Sequence, residues 1–443
     1  MPTVAKKSKS KTVHALAPLV PLGIALLHGA AGPTSSPSAH VRKTSSTTSS
    51  SLSSGESPTP LLAANHPVDW WFVFKFNSKS FPGCEGSATR TCPFGGSVQT
   101  YKTFGQQFVY ASSENPTLQN GTDCVGDTTS QPLGATFDEV YDNSPYYVIW
   151  NDQFYDDPEI SGCTTSCSSP WGHSKGMLAW NDQGDGFVLQ VTTPSWPASG
   201  SKEFPRQGDG NTLGCVEDNN VLVSQDFFAL RLTKNDVTVV LKALQNSSVV
   251  TDPENTQIVK NGGPEDLQAL VIDLGKKSDS ETFTKSTLST GVTLISKPSQ
   301  LHVPPWQMVS AILGGIDLRA ATWWANPEIY TTTASTSIAC WDDSLGNPGA
   351  VQIATTGQWN GTSFGLKGGS GPDFNHAKIG VSTTTGQRYA IFGDLNQQGT
   401  LSGSNCGSSQ NGRGGLFYVV ENAGLYDSVK GLISGESAPT KAE

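Results

Sequence analysis

Apolar residues in this chain fall mostly in short runs that read as strands, at 68–76, 146–150, 176–180, 186–191, 237–241, 269–274, 379–381 and 389–392. Helical periodicity is weaker, and the stretches at 306–313 and 421–433 carry the better helical signals. Two of the strand runs are followed by turn-forming segments, Asn181-Asp182-Gln183-Gly184-Asp185-Gly186 and Thr383-Thr384-Thr385-Gly386-Gln387, and then by a second apolar run. The pattern therefore predicts two hairpins in distant parts of one chain.

Each hairpin is headed by the same triplet, His173-Ser174-Lys175 and His376-Ala377-Lys378. In a strand, side chains two apart project from the same face, so each triplet presents an imidazole beside an ammonium. That pair suits a phosphodiester: the imidazole attacks phosphorus or delivers a proton, while the ammonium holds the non-bridging oxygens. One such triplet alone reads as the polar face of a half-exposed strand. Two in equivalent roles predict an internal duplication with a pseudo-two-fold axis and a shared site that brings His173 and His376 face to face.

With 443 residues, 36% of them hydrophobic, and 47 Gly and 27 Pro, the composition fits a loop-rich α/β or β-rich body and excludes a helical bundle. The N-terminus sets Lys6, Lys7, Lys9 and Lys11 before an apolar stretch at 15–27 and the small residues Gly29-Ala30-Ala31-Gly32, the layout of a cleavable secretory signal over 1–32. Pro18 and Pro21 break that stretch, and no later segment is long enough for a stable membrane span. Residues 33–64 are rich in Ser, Thr, Pro, Ala and Gly and read as a disordered linker or propeptide. The folded body is expected as an N-terminal half over 65–240 and a C-terminal half over 241–435, each with one triplet.

Eight cysteines in a chain with an export signal predict disulfides of unreadable connectivity, and the grouping of Cys163, Cys167 and His173 is a poor match to zinc-site spacing. Sequons at Asn120, Asn246 and Asn360 fit a secreted glycoprotein. The net charge of −10, more negative once the signal lysines are removed, argues against a polyanionic partner at neutral pH. Near the sequence pI of 5.2 many carboxylates are protonated and that repulsion of phosphate fades, so an acidic compartment suits a phosphate-binding role.

Several ordered motifs then carry a family resemblance. Pro67-Val68-Asp69-Trp70-Trp71-Phe72-Val73-Phe74-Lys75, Trp150-Asn151-Asp152-Gln153, Gly172-His173-Ser174-Lys175-Gly176, Asn375-His376-Ala377-Lys378, Gly393-Asp394-Leu395-Asn396 and Gly412-Arg413-Gly414-Gly415 together resemble the deoxyribonuclease II family, over about 66–426. The resemblance implies an α/β, phospholipase D-like fold with two αβα sandwich halves. It also implies a metal-independent acid endonuclease cutting double-stranded DNA to leave 3′-phosphate ends, and no cofactor is expected. The residues suggest in-line attack by neutral His173, proton donation by His376 and hydrolysis of a phosphohistidine, with the two roles open to exchange. By the same resemblance His173 and His376 are catalytic, and Lys175 and Lys378 bind the scissile phosphate. Asp152 and Asn396 match motif residues flanking the site.

Ser195 stands where the family tends to carry an Asn, and a hydroxyl there still donates a hydrogen bond. The phospholipase D pattern also lacks its downstream Asp, which leaves Asp152 as the candidate carboxylate to orient a histidine. Arg413, in a glycine-rich loop, is a candidate phosphate contact. His302 reads as structural, His66 sits at the domain edge, and Trp70, Trp71, Trp323 and Trp324 read as core packing or base stacking. With both halves in one chain the site needs no second subunit, so a monomer is expected. A lipid-directed phosphodiesterase and a secreted binding protein without turnover are the alternatives that the residues leave open.

Overall fold

The computed structural model describes residues 57–82, 90–91, 97–98, 107–122, 125–126, 128–154, 159–160, 163, 166–194, 222–324, 329–397, 401, 405–407 and 410–441. The expected signal over 1–32, most of the linker, Ser195, and cysteines 84, 92, 124 and 215 lie outside the described residues. The chain first lays down β1 (Trp70–Lys75), β2 (Arg90–Thr91), β3 (Ser97–Val98), β4 (Phe108–Ser112), β5 (Gln119–Asn120) and α1 (Pro132–Asn143). It continues through β6 (Tyr146–Asn151), β7 (Lys175–Trp180), β8 (Gly186–Val191), β9 (Gln225–Leu232), α2 (Lys234–Asn246), β10 (Val259–Lys260) and α3 (Glu265–Ile272). A second series follows: β11 (Thr284–Thr287), β12 (Thr293–Lys297), α4 (Pro305–Ile312), β13 (Leu318–Ala321), β14 (Val351–Ile353), β15 (Thr356–Trp359) and β16 (Thr362–Gly365). It ends with β17 (Ile379–Ser382), β18 (Tyr389–Gly393), β19 (Gly415–Glu421) and α5 (Ala423–Leu432).

Two large sheets form this mixed α/β body. The first has the order β10-β6-β7-β8-β9-β1-β4-β5, the second β11-β12-β19-β18-β17-β13-β14. The central strands match one for one: β6-β7-β8-β9-β1-β4 in the first sheet stand in the order of β13-β17-β18-β19-β12-β11 in the second. Both triplets fall at the start of corresponding strands, β7 and β17, and both β9 and β19 lead into a helix.

The central strands β1, β7 and β8 of the first sheet are buried along their whole length, because both of its faces are covered there. Phe72 and Phe228 from the first sheet stack on Phe392 of the second at centroid distances of 4.4 and 4.7 Å, which locks the sheets together through aromatic side chains. Helix α2 packs on β8 and β9 of one sheet and on β12 and β19 of the other. Trp71 of β1 donates to Thr136 of α1, and Trp306 of α4 sits edge-on to Phe417 of β19.

The strands expected near 237–241 and 269–274 are helices. Thr233 and Asp236 form a reciprocal capping box that starts α2, and Val237, Val240, Leu241 and Leu244 repeat at helical spacing on its buried side. Glu265 and Asp266 favour the first turn of α3, with Leu267 and Val271 buried one turn apart. In both cases β-branched and leucine-rich local composition suggested a strand while caps and burial spacing determine a helix. The 240/241 position, where the two halves were expected to divide, falls inside α2.

Order also begins earlier than residue 65. Pro58, Thr59, Pro60 and Leu61, which belong by composition to the linker, are buried, with the Thr59 N–H on the Glu139 carboxylate and the Leu61 N–H on Thr136 Oγ1. Prolines suit such a strap because they hide apolar rings without an unsatisfied N–H. Disulfides join Cys163 to Cys167 and Cys340 to Cys406. Of the sequons, Asn120 and Asn360 are exposed, while the Asn246 side-chain amide is engaged by Ser296 and Thr282.

Loss of the α2 cap tests this account of the helix. Thr233→Ala is expected to lower the unfolding free energy by about 0.5–2 kcal/mol, measured by denaturant melting, with Asp236 losing one of its two hydroxyl donors and keeping Ser289.

Candidate active site

The two triplets are held by matching backbone contacts that cross between the sheets. The His173 N–H donates to the carbonyl of Gly414, immediately before β19, at 2.8 Å. The His376 N–H donates to the carbonyl of Ser224, immediately before β9, also at 2.8 Å. Gly172 and Gly414 allow the first of these approaches, since a Cβ on either would lie 2.5 and 2.2 Å from the Ser247 carbonyl oxygen.

The imidazoles are oriented in the same crossed way. His173 Nδ1 lies 2.8 Å from the carbonyl oxygen of Asp394, just past β18, and His376 Nδ1 lies 2.9 Å from that of Thr192, just past β8. A carbonyl only accepts, so each ring carries its proton on Nδ1 and turns Nε2 outward as an acceptor. The Asn396 side-chain amide nitrogen, 3.5 Å from His173 Nε2, faces that acceptor.

Asp152 does something other than orient a histidine. One carboxylate oxygen accepts from Lys175 Nζ at 2.6 Å and the other from Arg413 Nη2 at 2.7 Å, with Asp152 fully buried. Both oxygens therefore hold cations, and the histidine-orienting task falls to backbone carbonyls that no side-chain pattern reveals. Arg413 reaches Gly172 O and Trp171 O through Nη2 and Nε, so its guanidinium braces the approach to His173 rather than standing open in a loop. Lys378 Nζ donates to its neighbour's carbonyl, His376 O, at 2.7 Å, and its own N–H donates to Asp226 Oδ1.

Burial pulls His173 well below the ordinary imidazole range, and Lys175, Arg413 and Lys378 push the same way against Asp152. His376 is lowered by burial, then by Lys378, Lys175 and His173. Each imidazole thus feels the lysine of the other triplet, which places His173, Lys175, His376 and Lys378 within one electrostatic neighbourhood. Burial would raise Asp152, but the neighbouring cations Lys175 and Arg413, with the His173 ring beside them, hold it far below the usual carboxylate range.

Two carboxylates that motif spacing left out of the site surround it. Asp394 is pushed up to about 7 by burial despite the Leu416 N–H bonded to it, and Asp226 to about 7 by burial despite the N–H and charge of Lys378. Lys378 is lowered to about 7, by burial and then by Lys175. Below neutrality the carboxyls of Asp226 and Asp394 take protons while Lys378 is charged, so among the described residues Lys175, Lys378 and Arg413 face Asp152 alone as counter-charge. The site then favours an anion.

Trp323 lies edge-on to His376 at a centroid distance of 5.9 Å, whereas Trp70, Trp71 and Trp324 are buried in the core. His302 is exposed and outside the site, and His66 is exposed beside Glu114. Cys163 and Cys167 are bonded to each other, and His173 turns its Nδ1 away to Asp394.

Among known proteins, the chain is 27% identical over 156 residues to mouse deoxyribonuclease-2-beta and 27% identical over 160 residues to pig deoxyribonuclease-2-alpha, in each case over 34% of this chain. The stretches matched span 37% and 38% of those relatives' lengths. The family model for deoxyribonuclease II matches residues 60–437, which takes in both sheets and both triplets. The chain therefore belongs to the deoxyribonuclease II family, within the phospholipase D-like superfamily.

Proposed function

We propose that this protein is a deoxyribonuclease that hydrolyses DNA phosphodiester bonds endonucleolytically at acid pH, through a site shared by two halves related by a pseudo-two-fold axis. The observation that carries the reading is the crossed pair of imidazoles, each with Nδ1 tied to a carbonyl and Nε2 left to react, beside buried lysines. Family membership supports DNA as the substrate.

In the first step His173 Nε2 attacks phosphorus in line, and the bond to the 5′ oxygen breaks as protonated His376 gives that oxygen its proton. The Asn396 amide facing Nε2 favours an unprotonated ring and so supports His173 as the nucleophile. Water then attacks the phosphohistidine, losing a proton to the now neutral His376. The phosphorus–nitrogen bond breaks and the phosphate stays on the 3′ side. Lys175 and Lys378 neutralise the non-bridging oxygens. These groups supply nucleophile, acid and counter-charge without a metal, and one chain supplies them all.

The acid requirement follows from burial. A proton reaches His376 only at low pH because the site disfavours the imidazolium, and an arriving phosphate restores some of that stability. An acidic compartment of the secretory pathway, or an acidic extracellular medium, suits this chemistry, as do the two described disulfides. No helix among the described residues is long and apolar enough to cross a membrane.

Plasmid cleavage in EDTA at about pH 5 and about pH 7.5 tests the reading, with His173→Ala and His376→Ala each expected to lose at least about 10²-fold in rate. Cleavage that needs a divalent ion, or survives either substitution, would overturn it, and 5′-phosphate ends would reverse the assignment of the leaving oxygen. Lys378→Met should lower the rate yet move the alkaline fall of kcat/KM to higher pH, because removing a neighbouring positive charge raises the His376 pKa. A fall moved to lower pH would contradict that electrostatic account.

Asp394 makes a separate prediction about stability. Its folded pKa of about 7 lies above an unfolded value of about 3.9, so the folded protein binds the extra proton between those limits and Asp394 costs stability as pH rises through 7. Asp394→Asn should therefore raise the melting temperature relative to wild type more at pH 8 than at pH 5, as read by scanning calorimetry.

A further inference from the structure

We propose that Lys75 and Lys297 are a pair of positioning residues, each holding the backbone segment on which one histidine of the site is docked. Lys75 is the last residue of β1 and lies opposite Gln225, the first residue of β9. Lys297 is the last residue of β12 and lies opposite Gly415, the first residue of β19. The strands correspond in the two sheets, and so do the registers.

From those positions each ammonium reaches back along the facing strand to the carbonyl two residues upstream. Lys75 Nζ donates to Val223 O at 2.5 Å, and Lys297 Nζ donates to Arg413 O at 3.0 Å and to Asn411 O at 2.8 Å. The very next carbonyl in each segment is the one that receives a histidine N–H: Ser224 O from His376 and Gly414 O from His173. One side chain and one backbone donor thus clamp two consecutive carbonyls in both halves, and the clamp crosses from each lysine to the histidine of the opposite triplet's sheet.

A core position that needed only to be filled would take Met or Leu at far lower cost. Both lysines are completely buried, and burial pushes Lys297 down to about 7, with no carboxylate paired to it among the described residues. Among the described residues, desolvation of the Lys297 ammonium is offset by carbonyls, so the position retains a cation where packing alone would discard it. The carbonyls it holds include that of Arg413, whose guanidinium grips Asp152 and Gly172, so the same clamp also steadies the approach to His173. Small displacements matter in such a site, because an in-line attack tolerates little misalignment.

The inference rests on the nuclease reading for its rate measurement and is independent of that reading in its spectroscopic one. Lys297→Met and Lys75→Met would be made in the full chain, with folding checked by circular dichroism, and the histidine ring nitrogens would be followed by NMR across a pH titration. Lys297→Met should shift the ring resonances and titration of His173 and leave His376 near its wild-type behaviour, and Lys75→Met should do the reverse. In a protein that cleaves plasmid, each variant should lose about 10- to 100-fold in kcat with KM nearly unchanged. Folded variants whose two histidines titrate as in wild type, or respond alike to either substitution, would overturn the proposal, as would a loss of thermal stability with kcat intact. Wild-type protein without nuclease activity would overturn the reading of the site instead, and the NMR contrast would still decide the lysines. Should Lys297→Met not fold, Lys297→Gln keeps a donor of similar reach and removes the charge, and Lys75→Met tests the other half on its own.

Discussion

The site depends on one constraint: polar backbone buried at the ends of central strands must find partners, and in this molecule it finds them on the histidines of the other sheet. Four carbonyls, of Thr192, Ser224, Asp394 and Gly414, flank β8, β9, β18 and β19 where those strands begin or end. Two of them receive the histidine N–H groups and two receive the ring Nδ1 atoms. A buried carbonyl without a donor is costly, so the docking of the two imidazoles and the closure of the two sheets are a single event. Neither half can present a correctly turned histidine without the other.

Much of this architecture was legible from apolar runs. The strands β1, β6, β7, β8, β17 and β18 and the helices α4 and α5 fall where hydrophobic pattern places them. The triplets were legible because they recur, and recurrence is a stronger signal than either copy. The helices α2 and α3 were not, because a short valine- or leucine-rich run read by itself resembles a buried strand, and in α2 the cap at Thr233 and the helical repeat out to Leu244 lie beyond that run. The groups that orient the imidazoles were invisible for a deeper reason: a backbone carbonyl has no letter in the sequence, and any residue at 192 or 394 supplies one.

Asp152 shows the same limit from the other side. A carboxylate near a histidine motif invites the role of ring partner, yet its two oxygens tie Lys175 to Arg413 across residues far apart in sequence. Only Lys175 belongs to a motif that spacing could connect to it. Of the two carboxyls that respond most to burial, Asp226 belongs to no quoted motif, and Asp394 stands inside one without a role assigned to it; the part each plays emerges only once the sheets have packed.

Burial also gives the site its sense of pH. In water an imidazole and a carboxylate titrate apart, near 6.5 and 4. Packing moves the histidines down and Asp226 and Asp394 up, so the order of protonation on acidification is reversed: carboxyls lose their charge before the imidazoles gain theirs. Between those events Lys378 has lost its carboxylate neighbours while Lys175 keeps Asp152, and both rings are neutral. For the proposed nuclease that state would draw in a phosphodiester and leave an unprotonated ring available, and the bound anion would favour a proton on one of the two rings. An acidic protein surface, which repels DNA at neutral pH, is discharged over the same range. On the proposed reading, substrate approach and proton supply are coupled to one variable by the burial of a few side chains.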